Sequence, residues 1–198
     1  MKKILYFFLL TITLQQDCLN FQGNKVSWWA ILKVPPKIGS SGFGYFDSTS
    51  SSSSFTYFKN YVDQGSTPLT YTELQINSNQ LETVAWNDQK PTGQVSSTKA
   101  HSKGFIAFSF EKKRGFFMSH SIPKYPAFDG DHIITTISPA ENYYGQNLFC
   151  LSMSLSELDK LASKLMTTHV YVYYSSVKDG SATHNLYQLG KGVDTTPS

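Results

Sequence analysis

The stretch that decides the fold reads Ala100-His101-Ser102-Lys103-Gly104-Phe105-Ile106-Ala107-Phe108-Ser109-Phe110-Glu111-Lys112-Lys113-Arg114-Gly115-Phe116-Phe117-Met118. Two apolar runs, Phe105 to Phe110 and Phe116 to Met118, flank a charged segment closed by Gly115, which is the pattern of a β-hairpin with a solvated basic tip. His101 and Lys103 stand at the mouth of its first strand. Residues two apart on a strand project to the same face, so an imidazole and an ammonium are set side by side. The imidazole suits a nucleophile or proton carrier near neutral or acidic pH, and the lysine suits a phosphate whose charge grows as it becomes five-coordinate. Gly104, with no side chain, is expected to let a bulky polymer approach the backbone. A three-residue motif carries little weight alone, and an exposed polar strand end accounts for it as readily.

Outward from the hairpin, Lys25 to Val34 is rich in β-branched and aromatic residues and stops at Pro35-Pro36, as a strand does. Gly39 to Gly44 reads as turn-rich, leading into Tyr45-Phe46-Asp47, and Ser48 to Ser54 is almost pure serine, an exposed loop. Leu81 to Trp86 reads as a short strand ending in the turn composition Asn87 to Pro91. A helix begins at Ser154, where Ser154 and Glu157 have capping-box spacing and Leu155, Leu158, Leu161, Ala162 and Leu165 share one face. His169 to Tyr174 reads as a strand, and no further element is expected beyond Val177. Strands and a helix in this order predict an α/β (α+β mixed) fold with a central mixed β-sheet flanked by helices.

The length of 198 residues, with 40% hydrophobic and 16% charged, suits one domain with its own core. A net charge of +3 does not mark a nucleic-acid binder. Lys2 and Lys3 precede the apolar run Ile4 to Leu14, too short to span a bilayer but right for a secretory signal over residues 1–16, leaving residues 17–198 as the mature domain. Removing two lysines from +3 leaves +1. Protonation of all 5 histidines would then raise the limit to +6 at acidic pH. No later stretch is apolar enough for a membrane anchor. Two cysteines, Cys18 and Cys150, are in an oxidising compartment most simply a disulfide, the alternative being two buried thiols.

The motifs of P-loop nucleotide binding, of His-Glu-x-x-His or Cys-x-x-Cys metal binding and of the Gly-x-Ser-x-Gly nucleophile elbow are all missing. No metal or other cofactor is therefore expected.

Six blocks in order nevertheless resemble the N-terminal half of the deoxyribonuclease II family. They are Val26-Ser27-Trp28-Trp29 with Lys33-Val34-Pro35, Gly44-Tyr45-Phe46-Asp47, Trp86-Asn87-Asp88-Gln89, the His101–Lys103 strand, Arg114 to Pro126, and Tyr144-Gly145-Gln146 leading to Cys150. The resemblance implies a phospholipase-D-like half. In that scheme two His-x-Lys motifs meet, one histidine attacking phosphorus and the other protonating the leaving 5′ oxygen, without metal. Carried over by position, His101 is a catalytic histidine, Lys103 its phosphate-binding partner, and Cys18–Cys150 the family's disulfide. His120 becomes a substrate-positioning or supporting residue, with a hydrogen-bonded structural histidine as the equal alternative. DNA is the implied partner, and a lysosome or the extracellular space the implied location.

The pattern breaks in one place, because none of His120, His132, His169 and His184 has a lysine two residues on. Three explanations follow: a homodimer whose copies each supply His101 and Lys103, a fragment of a longer chain, or a catalytically silent module that binds DNA or a partner.

Overall fold

The computed structural model describes residues 16–36 and 42–196. The expected hairpin lies at its centre: strand β7 (Lys103–Ser109) pairs with β8 (Arg114–His120), from Gly104 opposite Ser119 to Ser109 opposite Arg114. The earlier strands are β1 (Cys18–Leu19), β2 (Lys25–Val26), β3 (Trp28–Val34), β4 (Gly42–Asp47), β5 (Thr56–Phe58) and β6 (Glu82–Asn87). After the hairpin come β9 (Ala127–Asp129), β10 (His132–Ile134), β11 (Gln146–Ser154) and β12 (Val172–Ser175). Eight of these form one sheet in the order β12-β6-β7-β8-β11-β3-β4-β5.

The α+β class holds, and the sheet expected to be mixed is antiparallel at every one of its pairings. The reason is connectivity. The strands β3-β4-β5 and β6-β7-β8 run as successive neighbours, and tight or short connections between neighbours force opposite directions.

Helices α1 (Pro68–Asn79), α2 (Leu155–Thr167) and α3 (His184–Gly190) complete the fold. Because side chains alternate along a strand, the sheet feeds two cores. Phe105 and Ala107 of β7 join Trp29, Ile31, Phe43, Phe116 and Met118, packed with Leu69 and Ile76 of α1. Ile106 and Phe108 point the other way and join Val84 and Trp86 under Leu155, Leu158 and Ala162 of α2 and Leu186 and Leu189 of α3.

Helix α2 starts where its capping box predicts, with Ser154 accepting from the Glu157 amide and Glu157 returning a bond to the Ser154 amide. The region beyond Val177 does hold an element, α3, whose first turn is fixed by Asp159 of α2: its carboxylate accepts from the Asn185 amide at 2.9 Å. The strand expected from His169 begins at Val172, since His169 sits in the left-handed region at φ +57. Part of the stretch read as turn-rich, from Gly42, is strand β4. The serine run is exposed as expected. A disulfide joins Cys18 to Cys150, tying β1 to β11 across 132 residues. The secretory signal was expected over residues 1–16; its first 15 positions, with 37–41, lie outside the described residues.

Candidate active site

Strands β6 and β8 finish, and β7 begins, at one end of the sheet, and their terminal residues meet there. Asn87 pairs with Lys103 across β6 and β7. Gly104 opposite Ser119 means that one further step along both strands sets Lys103 against His120. The chain leaving β6 passes directly into Asp88, whose carbonyl accepts from the Ser96 amide at 2.8 Å, closing the turn-rich loop between them.

Asp88 organises the site. One carboxylate oxygen lies 2.7 Å from Nδ1 of His101, and the other accepts a hydrogen bond from Nζ of Lys103. Lys103 and Asp88 are each 6% exposed at the side chain, whereas His101 is 86% exposed. His101 precedes the first residue of β7, so the expected juxtaposition of imidazole and ammonium is made by a shared carboxylate rather than by strand pleat alone. Burial pushes the Asp88 carboxyl up, but the hydrogen bond and charge of Lys103, followed by those of His101, outweigh it and hold the group below its ordinary range. With Nδ1 turned to Asp88, Nε2 of His101 has no partner among the described residues and belongs to a side chain that is 86% exposed.

His120 is placed differently. It is 4% exposed, its Nδ1 accepts from the Ile122 amide at 3.2 Å, and its ring stands edge-on to Tyr125 at 5.5 Å. Burial, reinforced by the nearby Lys103 charge and opposed only by the Ile122 bond, pushes its pKa down to about 3. It therefore stays neutral down to about pH 3, and the expected acidic limit of +6 loses the charge it assigned to this residue. Its position is behind Lys103, in the wall of the site.

Gly104 also differs from expectation. A Cβ there would lie 2.5 Å from the Met118 carbonyl oxygen and 2.8 Å from Cζ2 of Trp86. The space is taken by the protein itself, not offered to a polymer. Trp86 is pinned over it by a bond from Nε1 to Ser102 Oγ of 3.1 Å and by stacking on Phe117 at 6.1 Å.

The residue that sequence reasoning left without a role is Asp88. Its only signal was membership of the Trp86-Asn87-Asp88-Gln89 block. Asn87 was likewise unassigned; it is fully buried and its Nδ2 donates to the carbonyls of Ile122 at 3.2 Å and Tyr125 at 2.9 Å. Among the described residues, no group of three or more His, Cys, Asp or Glu side chains is gathered as a metal site, and no helix is long and apolar enough to cross a membrane.

Rat deoxyribonuclease-2-alpha is 30% identical over 170 residues, covering 79% of this chain and 47% of the relative. Bovine deoxyribonuclease-2-alpha is 26% identical over 172 residues, 79% and 45% respectively. Cell-death-related nuclease 7 of Caenorhabditis elegans is 29% identical over 174 residues, 84% and 45%. The chain thus spans about half the length of these relatives. The family model for deoxyribonuclease II matches residues 17–197, a span that contains the disulfide, the central hairpin and the Asp88, His101 and Lys103 cluster, and the chain belongs to that family.

Proposed function

We propose that this chain is one half of an acid endodeoxyribonuclease site, in which His101 and Lys103 act on a DNA phosphodiester. The observation that carries the reading is the Asp88 carboxylate shared between His101 and Lys103, set in a family whose relatives are named deoxyribonucleases. In this reading Asp88 holds the His101 tautomer with Nε2 turned outward, as a carboxylate orients an imidazole in other nucleophilic sites. Nε2 attacks phosphorus, and the bond to the 5′ oxygen breaks as a second histidine gives that oxygen a proton. Water then attacks the phosphohistidine, the phosphorus–nitrogen bond breaks, and a 3′-phosphate end leaves. Lys103 stabilises the charge on the phosphoryl oxygens. Imidazole and ammonium supply the protons and the charge, so the scheme requires no metal.

The second His-x-Lys comes from another copy of this chain in a homodimer, or from the remaining half of a longer protein. The secretory pathway, ending in the lysosome or outside the cell, is the location consistent with an oxidised Cys18–Cys150 pair. The test is nicking of plasmid DNA at pH 5 in EDTA by wild type and His101→Ala. Nicking by wild type alone, with specific activity rising with protein concentration, supports the homodimer form. No nicking by wild type, or equal nicking by both, overturns the proposal.

The presence of a single His-x-Lys in the chain favours a second reading, a module that binds DNA or a partner without cleaving. Binding that weakens with salt as phosphate contacts require, with no cleavage at any concentration, selects it.

A further inference from the structure

Behind the site lies a carboxyl group that the proposed chemistry does not use. Glu73 of α1 is fully buried, one oxygen accepts a hydrogen bond from the Tyr125 hydroxyl, and the other has no partner among the described residues. Tyr125 is itself 2% exposed and touches the site twice. Its ring meets His120 edge-on at 5.5 Å, and its carbonyl accepts from Asn87 Nδ2 at 2.9 Å, one residue before Asp88 and opposite Lys103. Glu73 thus stands at the base of a strut that runs through Tyr125 to Asn87 and His120, the two residues flanking Lys103.

We propose that Glu73, kept as the neutral acid, is a positioning residue that props the Lys103 side of the site through Tyr125 and confines the assembled site to acidic pH. This deepens the nuclease reading and rests on it for its functional half. Among the described residues, no cation acts on Glu73. The groups that act on it are the Tyr125 hydroxyl, the carboxylate of Asp63 and the phenol of Tyr173 on β12. Strand β1 packs on α1 with the buried, apolar Cys18 and Leu19, while the adjoining Asp17 is already bonded to Arg114 and Lys25. Strand β10 also packs on α1; its Ile133 is buried and its His132 exposed. A charge placed here would be desolvated, repelled by Asp63 and only partly relieved by one phenol.

Burial and the Asp63 charge, against the single Tyr125 bond, hold the carboxyl well above its ordinary value. The direction of the pH effect follows. Below the unfolded pKa the group is protonated in both states and costs nothing; as pH rises the unfolded chain ionises first, and stability is lost up to the folded pKa. His120 acts in the opposite sense, because acid protonates it only when unfolded. The wild-type profile therefore mixes the two, and only the difference between wild type and a Glu73 variant isolates Glu73.

Glu73→Gln mimics the protonated acid and cannot ionise. The measurement is Tm of the full chain at pH 5 and pH 7.5 for wild type, Glu73→Gln and Tyr125→Phe. Going from pH 5 to 7.5, Glu73→Gln is expected to gain about 3 °C or more relative to wild type. Tyr125→Phe, which cuts the strut without an added cavity, is expected to lower Tm at both pH values. In plasmid nicking, Glu73→Gln keeps its rate at pH 5 and extends activity upward by at least about half a pH unit, whereas a merely structural residue would lower the rate without moving the profile. Equal pH dependence of Tm in wild type and Glu73→Gln, or failure of Glu73→Gln to fold at pH 5, overturns the proposal. Absence of nicking by every protein overturns the nuclease reading instead, while the Tm arm still decides the state of Glu73.

Discussion

The carboxylate of Asp88 lies 2.7 Å from Nδ1 of His101, at the one place where the solvent-exposed imidazole meets the buried end of the sheet. The same carboxylate neutralises Lys103, so a single acid orients one member of the pair and compensates the other.

Asp88→Asn separates these two duties from shape. The amide is nearly isosteric, but it leaves the Lys103 ammonium buried without a counter-charge, which costs about 3 kcal/mol. It also removes the acceptor that fixes the His101 tautomer, so nicking is expected to fall ~10-fold or more. The carboxyl is held below its ordinary range, so its stabilisation is present above about pH 3.9 and is lost as pH falls through the lowered folded value. The variant should therefore show a flatter acid limb than wild type in urea unfolding below about pH 4. An unchanged limb would mean that Asp88 is not paired in solution.

His101 and Lys103 are expected to part company on stability. With 86% of its side chain exposed, His101 can be cut to alanine at a cost within about 0.5 kcal/mol. Lys103→Ala leaves Asp88 buried with only His101 beside it and opens space at the strand end, a loss of about 2 to 3 kcal/mol. Both should abolish nicking. Thermal melts of the two variants distinguish loss of chemistry from loss of fold, and equal destabilisation would show that the buried ion pair does not hold.

His120 should resist acid. The unfolded chain takes up its proton from about pH 6.5 downward, while the folded protein refuses it until about pH 3, so stability falls with acidification across that window by about 1.4 kcal/mol per pH unit. His120→Gln retains an acceptor for the Ile122 amide and does not titrate. Its stability relative to wild type should improve steadily from pH 6.5 to 4, as read by denaturant midpoints. A constant difference would place the imidazole in contact with water.

What could be read from the sequence followed patterns that local physics enforces. The β7–β8 hairpin and the Ser154 cap were visible because alternation and capping spacing act over a few residues. Helix α1 was not, because its inward face carries polar residues between Leu69 and Ile76: Thr72 bonds the Trp29 indole at 3.2 Å, Gln75 bonds the Asp17 amide at 3.2 Å, and Glu73 bonds Tyr125. Partners that far away in sequence leave no local period. Helix α3 escaped because its cap is supplied by Asp159 from another helix. In the site, His101 and Lys103 stood out as a pair, but Asp88 reaches them only once β6 and β7 are neighbours.

Gly104 gives the sharpest test of that difference. If the absent side chain served an approaching polymer, Gly104→Ala would fold normally and bind DNA poorly. The structure instead fills the position with the main chain of β8 and the Trp86 indole, at 2.5 and 2.8 Å from any added Cβ. Neither neighbour can step aside cheaply, since the Met118 carbonyl belongs to a paired strand and Trp86 is bonded to Ser102 and stacked on Phe117. Gly104→Ala is expected to cost at least about 2 kcal/mol and to change the near-ultraviolet signal of Trp86. Displacement of β7 by even a few tenths of an ångström moves Lys103, the next residue, relative to Asp88, so nicking should fall with stability. Full stability with selectively weakened DNA binding would overturn this account and return Gly104 to the polymer.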